Sequence, residues 1–222
     1  MNGRAVILGT ICIATASVGV CRQAHSSTSE PTAQNDLPRI RVWVTNPARV
    51  DENVLLSALS RAKRIFRDAG VGVTWLNLPM GPTRSGDTSG GSTDESGMLV
   101  LRIVSYPEGK SVSPHALGFA LNQQDDSTYA TVFQARVSDM VARGGPCSKA
   151  DLLGHAIAHE LGHLLLGTPA HSRYGLMAGT WRATDLNRAS SGNLLFSATE
   201  AADIRAAALR REARSAVSAA KQ

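Results

Sequence analysis

The pentapeptide HELGH, residues 159–163, constrains this chain more than any other feature because it lies inside a long apolar segment. Side chains four residues apart share one face of an α-helix, about 6 Å apart along its axis, so both imidazoles can bind one metal ion. Burying two histidines and a glutamate without partners is costly, and a bound Zn²⁺ removes that cost. The pattern therefore predicts a buried helix that binds zinc through His159 and His163. The alternative is an ordinary core helix in which the pentapeptide arose by chance.

Glu160 follows the first of these histidines directly. This position puts its carboxylate beside the metal ion rather than on it, where it can take a proton from zinc-bound water and pass it to a leaving amine. Glu160 is therefore the candidate catalytic base.

A catalytic zinc ion needs a third protein ligand and an open fourth position. His155 lies one helical turn before His159, but eight residues, or about 12 Å of helix, separate it from His163. A straight helix cannot bring all three to one ion, so we expect His155 to be a packed or supporting histidine.

His171 is the candidate third ligand because the chain can turn back toward the helix before it. Gly167 can end the helix in a left-handed conformation, and Pro169 prevents the helix from resuming.

The segment 159–171 resembles the active-site motif of the metzincin clan of zinc metallopeptidases, H-E-x-x-H-x-x-G-x-x-H followed by a methionine turn. In this chain one additional residue precedes Gly167 and one follows it, and Met177 stands a few residues further on. The additional residues indicate a divergent branch of the clan.

The resemblance implies a turn at Met177 beneath the metal, the alternative being a plain core methionine. It implies zinc ligands at His159, His163 and His171 with Glu160 as the general base. It also implies a mixed, twisted sheet with one antiparallel edge strand, packed by a backing helix and the active-site helix and followed by a C-terminal helix. A protein or peptide substrate would bind as an extended strand along a sheet edge.

The rest of the sequence predicts an α+β, or α/β-like, layered fold. Residues 39–47 alternate as in a half-buried strand, and residues 51–70 form an amphipathic helix between the capping Asp51 and the terminating Gly70. Further elements are predicted as strands over 71–78, 98–104, 116–123 and 129–137 and a closing helix over 197–213. The Gly/Ser/Thr/Asp-rich residues 79–97 predict an exposed loop.

Residues 1–24 predict a secretory signal peptide, with an early positive charge at Arg4, an apolar stretch and small residues at Ala14 and Ala16. One alternative is a retained membrane anchor, because the uncharged stretch approaches the length of a bilayer span. Another is a lipoprotein signal at Cys21.

The remaining chain divides into a flexible linker, residues 25–37, a single catalytic domain, residues 38–213, and a tail, residues 214–222. A length of 222 residues suits one sizeable core. The net charge of +5 comes mostly from arginines spread along the chain, without a dense basic run, so the charge pattern does not favour nucleic acid as a partner.

The three cysteines indicate no disulfide framework. Cys147 is interpreted as a loop thiol, with a Cys/His nucleophile as the alternative.

These observations predict a secreted or periplasmic zinc-dependent endopeptidase, in contact with a membrane only if the N-terminal segment is retained. Two other functions suit the same residues. One is a non-catalytic zinc- or protein-binding module, which would not need Glu160; the other is a zinc hydrolase of a non-peptide substrate.

Overall fold

The computed structural model describes residues 37–78, 97–107, 113, 115–122 and 128–220. Its strands are β1 (Arg39–Thr45), β2 (Gly72–Leu76), β3 (Leu99–Val104), β4 (Gly118–Asn122) and β5 (Thr128–Phe133). Its helices are α1 (Glu52–Asp68), α2 (Gln134–Ala142), α3 (Lys149–Leu166), α4 (Ala183–Ser190) and α5 (Ala198–Ala219).

Three predictions fall on residues outside these ranges: the signal peptide or anchor, the linker up to residue 36, and the exposed loop up to residue 96. Among the helices of the described ranges, none has the length and apolar character needed to cross a bilayer.

The five strands form one sheet in the order β2-β1-β3-β5-β4. The pairs β1–β2, β1–β3 and β3–β5 are parallel, whereas β4 pairs with β5 in antiparallel register from Gly118 opposite Val132 to Asn122 opposite Thr128. This topology confirms the predicted mixed sheet with one antiparallel edge strand, packed by helices.

The central strands supply one side of the core through alternating side chains. Ile40, Val42 and Val44 of β1 are buried, as are Leu99 and Leu101 of β3, while the residues between them are more exposed. Helices α1 and α3 pack against each other; α1 also lies against β2, and α3 lies against β3, β4 and β5. The core therefore holds α3, which carries the HELGH sequence, in a fixed position over the sheet.

The backing helix α1 begins as the sequence predicts. The carboxylate of Asp51 accepts hydrogen bonds from the backbone N–H groups of Asn53 and Val54, at 3.0 and 3.2 Å. At the other end, Gly70 adopts a φ of +77° that a residue with a side chain rarely takes.

Helices α1 and α3 are in close contact at Gly154. A Cβ atom at this position would lie 2.6 Å from the carbonyl oxygen of Ala58 and 2.7 Å from Cβ of Arg61. Arg61 also donates from Nε to the carboxylate of Asp151 at 2.8 Å, which ties the first turn of α3 to α1. A close contact at one glycine and one ion pair thus join α3 to α1.

The predicted strand over residues 129–137 is wrong at its end, because β5 stops at Phe133 and α2 begins at Gln134. Phe133, Ala135 and Val137 are all buried and continue a period of two across this boundary, which conceals the start of the helix. The helical spacing becomes visible only at Met140 and Val141, which pack against the core.

Two features near the C-terminus extend the sequence prediction. The short helix α4 was not predicted; it buries Ala189. The closing helix α5 was predicted over 197–213 and continues to Ala219, inside the stretch interpreted as a tail.

Candidate metal centre

Three histidines bring their ring nitrogens together at one point beside α3. Nε2 of His163 lies 3.1 Å from Nε2 of His159 and 3.3 Å from Nε2 of His171. A tetrahedral zinc ion with Zn–N bonds of about 2.0–2.1 Å holds its ligand nitrogens about 3.3 Å apart. The three histidines therefore form a cluster with the dimensions of a zinc site.

The other ring nitrogens of the two helical histidines show which tautomer each adopts. Nδ1 of His159 lies 2.8 Å from the carbonyl oxygen of Leu176, and Nδ1 of His163 lies 2.9 Å from that of Thr168. A carbonyl oxygen only accepts, so each Nδ1 must carry the hydrogen. In the neutral rings each Nε2 is then left with its lone pair directed into the cluster.

Burial keeps these two rings uncharged at neutral pH. It lowers the pKa of His159 to about 4 and also lowers the pKa of His163. Two lone pairs that face each other at 3.1 Å cannot form a hydrogen bond and repel each other unless a cation lies between them. This donor set fits a metal ion such as Zn²⁺.

The third histidine reaches the cluster because the chain turns back after α3. Gly167 ends the helix with φ +67°, and its N–H donates to the carbonyl oxygen of His163 at 3.0 Å. Further on, the N–H of Ser172 donates to the carbonyl oxygen of Met177 at 2.9 Å and closes the returning loop. His171 lies on this loop and is the most exposed of the three histidines.

Met177 is 1% exposed and packs against α3 at Gly162. A Cβ atom at Gly162 would lie 2.8 Å from Sδ of Met177 and 2.9 Å from the ring of Phe196. Glycine at position 162 therefore allows the methionine to contact the helix backbone next to His163.

Glu160 is 5% exposed and borders the same cleft as the three histidines. Burial raises the pKa of this carboxyl to about 8. Its side chain lies against the edge strand, where a Cβ atom at Gly118 would come within 2.8 Å of Cγ and Oε1 of Glu160. A cation held by the histidines would favour the ionised carboxylate over the neutral acid.

His155 stands apart from the cluster. Its Nδ1 lies 2.7 Å from the carbonyl oxygen of Asp151, and its Nε2 is buried with no hydrogen-bond partner among the described residues. The ring is fully buried, with its edge toward Trp181 at a centroid distance of 6.5 Å. The structure thus places His155 in the packed position that helix geometry predicted.

Trp181 is a site residue that the sequence analysis did not identify. Its indole N–H donates at 3.1 Å to the carbonyl oxygen of Leu176, which also accepts from His159. The ring stands edge-on to His159 at 5.7 Å and lines the cleft. The sequence offered little signal for this role, since the shared carbonyl becomes apparent only once the loop has folded.

The structure gives no support to Cys147 as a nucleophile. The thiol is 5% exposed, and its pKa is raised to about 11, first by burial and then by the nearby Asp151. A nucleophilic cysteine needs the opposite shift, toward the thiolate at neutral pH.

No family model matches the chain, and the comparison with curated proteins found no match. Among solved structures, the chain is similar to a zinc-dependent peptidase from Methanocorpusculum labreanum (strain Z), with a TM-score of 0.50. The alignment covers 73% of this chain and 99% of that one, at 12% identity. At this identity the likeness concerns the fold.

Replacing His171 and His155 separately tests the ligand set. His171→Ala is expected to weaken zinc binding strongly because one of three protein ligands is lost. His155→Ala is expected to retain stoichiometric zinc and to lose stability, because it leaves a cavity in the core. Competition with a chromophoric chelator measures the affinities, and urea unfolding of the metal-free proteins measures the stabilities. Loss of zinc in the His155 variant, with zinc retained in the His171 variant, would contradict the assignment.

Proposed function

We propose that this chain is a zinc-dependent endopeptidase of metzincin type. The observation that carries the proposal is the convergence of three imidazole nitrogens, two of them fixed as lone-pair donors, beside the buried carboxyl of Glu160. In the proposed site His159, His163 and His171 would hold one zinc ion beside the cleft that they line. Met177 supports the site from beneath.

A zinc ion bound there supplies Lewis acidity toward a water molecule and toward the carbonyl group of a substrate. Glu160 takes the proton from the attacking water and passes it to the amine that leaves. Burial raises the pKa of Glu160, and a zinc ion held by the histidines would favour its ionised form, which is the form that accepts a proton from water.

We further propose that a protein or peptide substrate binds as an extended strand along β4. Residues 118–121 of this strand border the cleft, and β5 occupies only one of its two edges. No other described strand pairs with β4, so its second edge has backbone groups available for a peptide. Leu121 and Tyr106, which are 46% and 65% exposed, lie along the same cleft and offer apolar contacts to substrate side chains.

Two alternatives use the same cluster. A non-catalytic zinc-binding module needs the histidines but has no use for a buried glutamate beside them, so Glu160 favours the enzyme. A zinc hydrolase of a non-peptide substrate would share the chemistry and differ in what occupies the edge of β4.

Glu160→Gln separates metal binding from catalysis. The variant is expected to retain one zinc ion and to lose hydrolysis by about 10²- to 10⁴-fold in kcat, because an amide cannot accept the proton from water. Metal analysis and a fluorogenic peptide assay measure the two quantities on the same sample.

The matched control is Glu212→Gln, which makes the same chemical change at an exposed position on α5 and is expected to behave as wild type.

A peptide with N-methylated backbone amides tests the binding of substrate along β4, since it cannot pair fully with this strand. Undiminished hydrolysis by the Glu160 variant would remove the proposed mechanism, and equal cleavage of the methylated peptide would remove the strand-binding mode.

The chain is further proposed to be exported, on the basis of the signal-like residues 1–24. N-terminal sequencing of the protein from its native cells is expected to find a mature terminus between Ser17 and Ser26. An intact Met1 on a membrane-embedded protein would support the retained anchor instead.

A further inference from the structure

A buried carboxylate at the start of α5 joins this helix to the loop that carries the third histidine. Glu200 is 8% exposed. One of its oxygens accepts from the backbone N–H of Ser197 at 2.7 Å, while Oγ of Ser197 accepts from the backbone N–H of Glu200 at 3.3 Å. This reciprocal pair is a capping box, which satisfies the first N–H groups of the helix.

The second oxygen of Glu200 is not needed for the cap and accepts a hydrogen bond from the hydroxyl group of Ser172. Ser172 directly follows His171 and is 28 positions away from Glu200 in the sequence. A hydrogen bond from a hydroxyl to a carboxylate is about twice as strong as one between neutral groups, and burial strengthens it further. The cap of α5 is thus also an anchor for the histidine loop.

The position of His171 depends on this anchor because its ring lacks the hydrogen bonds that fix the other two histidines. Nδ1 of His159 and Nδ1 of His163 each donate to a carbonyl oxygen, whereas the ring of His171 makes no such bond to any described residue. Its backbone is fixed instead by Ser172, whose N–H donates to the carbonyl oxygen of Met177.

The face of the His171 ring is restrained by close packing. A Cβ atom at Gly179 would lie 3.1 Å from Cγ of the His171 ring, so this ring rests on the backbone of the loop. The orientation of the third ligand is therefore set by where the backbone of residues 171 and 172 lies.

We propose that Glu200 is a positioning residue for the metal site, which through Ser172 holds His171 in place and so couples the docking of α5 to zinc binding. The inference rests on the zinc site of the proposed function, but it concerns metal affinity and is independent of whether the substrate is a peptide. It explains why a helix-capping glutamate is buried and uses both carboxylate oxygens.

Two serine variants separate this role from ordinary capping. Ser172→Ala removes the link to the loop and leaves the capping box intact, whereas Ser197→Ala weakens the capping box and leaves the link intact. Ser172→Ala is expected to weaken zinc binding by about tenfold, the lower end of the effect of residues that orient a metal ligand. Ser197→Ala is expected to bind zinc within about twofold of wild type while lowering the Tm of the metal-free protein. Ser172→Thr, which keeps the hydroxyl group, is expected to restore the affinity.

The decisive comparison places Ser172→Ala in a His171→Ala background. If Ser172 acts through His171, its effect on zinc affinity disappears once His171 is absent. The readouts are chelator competition for zinc and the visible absorption spectrum of the Co²⁺-substituted protein, in which a displaced ligand alters the bands.

Three results would overturn the proposal: wild-type zinc affinity in Ser172→Ala, an equal loss of affinity in Ser197→Ala, or an undiminished effect of Ser172→Ala without His171. Peptide hydrolysis by the wild-type protein is measured in parallel. If the wild-type protein binds zinc tightly but cleaves no peptide, the proposed peptidase activity is wrong. The role of Glu200 is then still tested by the zinc affinities of the serine variants.

Discussion

Repulsion between two imidazole lone pairs is the constraint on which the site depends. His159 and His163 donate from Nδ1 to the carbonyl oxygens of Leu176 and Thr168, so their Nε2 atoms face each other as acceptors at 3.1 Å. Burial disfavours relief by protonation, because it lowers the pKa of both rings. A bound cation is the remaining partner that satisfies both atoms. The loop that supplies these carbonyl groups therefore fixes the tautomers in which the histidines of α3 can bind a cation.

The fold supports this loop on two sides, through α3 and through α5. α3 is held over the sheet by its close approach to α1 at Gly154 and by the ion pair between Arg61 and Asp151. The loop is in turn held against α3 by Met177 and joined to α5 through Glu200. The candidate metal site thus depends on segments that are distant in sequence, and loss of the hydrogen bond between Ser172 and Glu200 is expected to weaken metal binding.

Sequence periodicity and helix geometry account for much of this arrangement, since they predicted the mixed layered fold and the return of the chain at Gly167. The features that the sequence did not predict have a common cause. The boundary at Phe133 was obscured because apolar residues continued at a period of two, and the roles of Trp181 and Glu200 depend on contacts between distant segments. Local sequence patterns report which residues are buried, but not which carbonyl or hydroxyl group each will meet.

X-ray absorption spectroscopy at the zinc edge tests the central claim most directly, because it counts the ligands around the ion in solution. The account predicts three imidazole nitrogens at about 2.0–2.1 Å, one further oxygen from water and no sulfur. A sulfur ligand, or fewer than three imidazoles, would contradict the assignment of His159, His163 and His171 as the ligands of one catalytic ion.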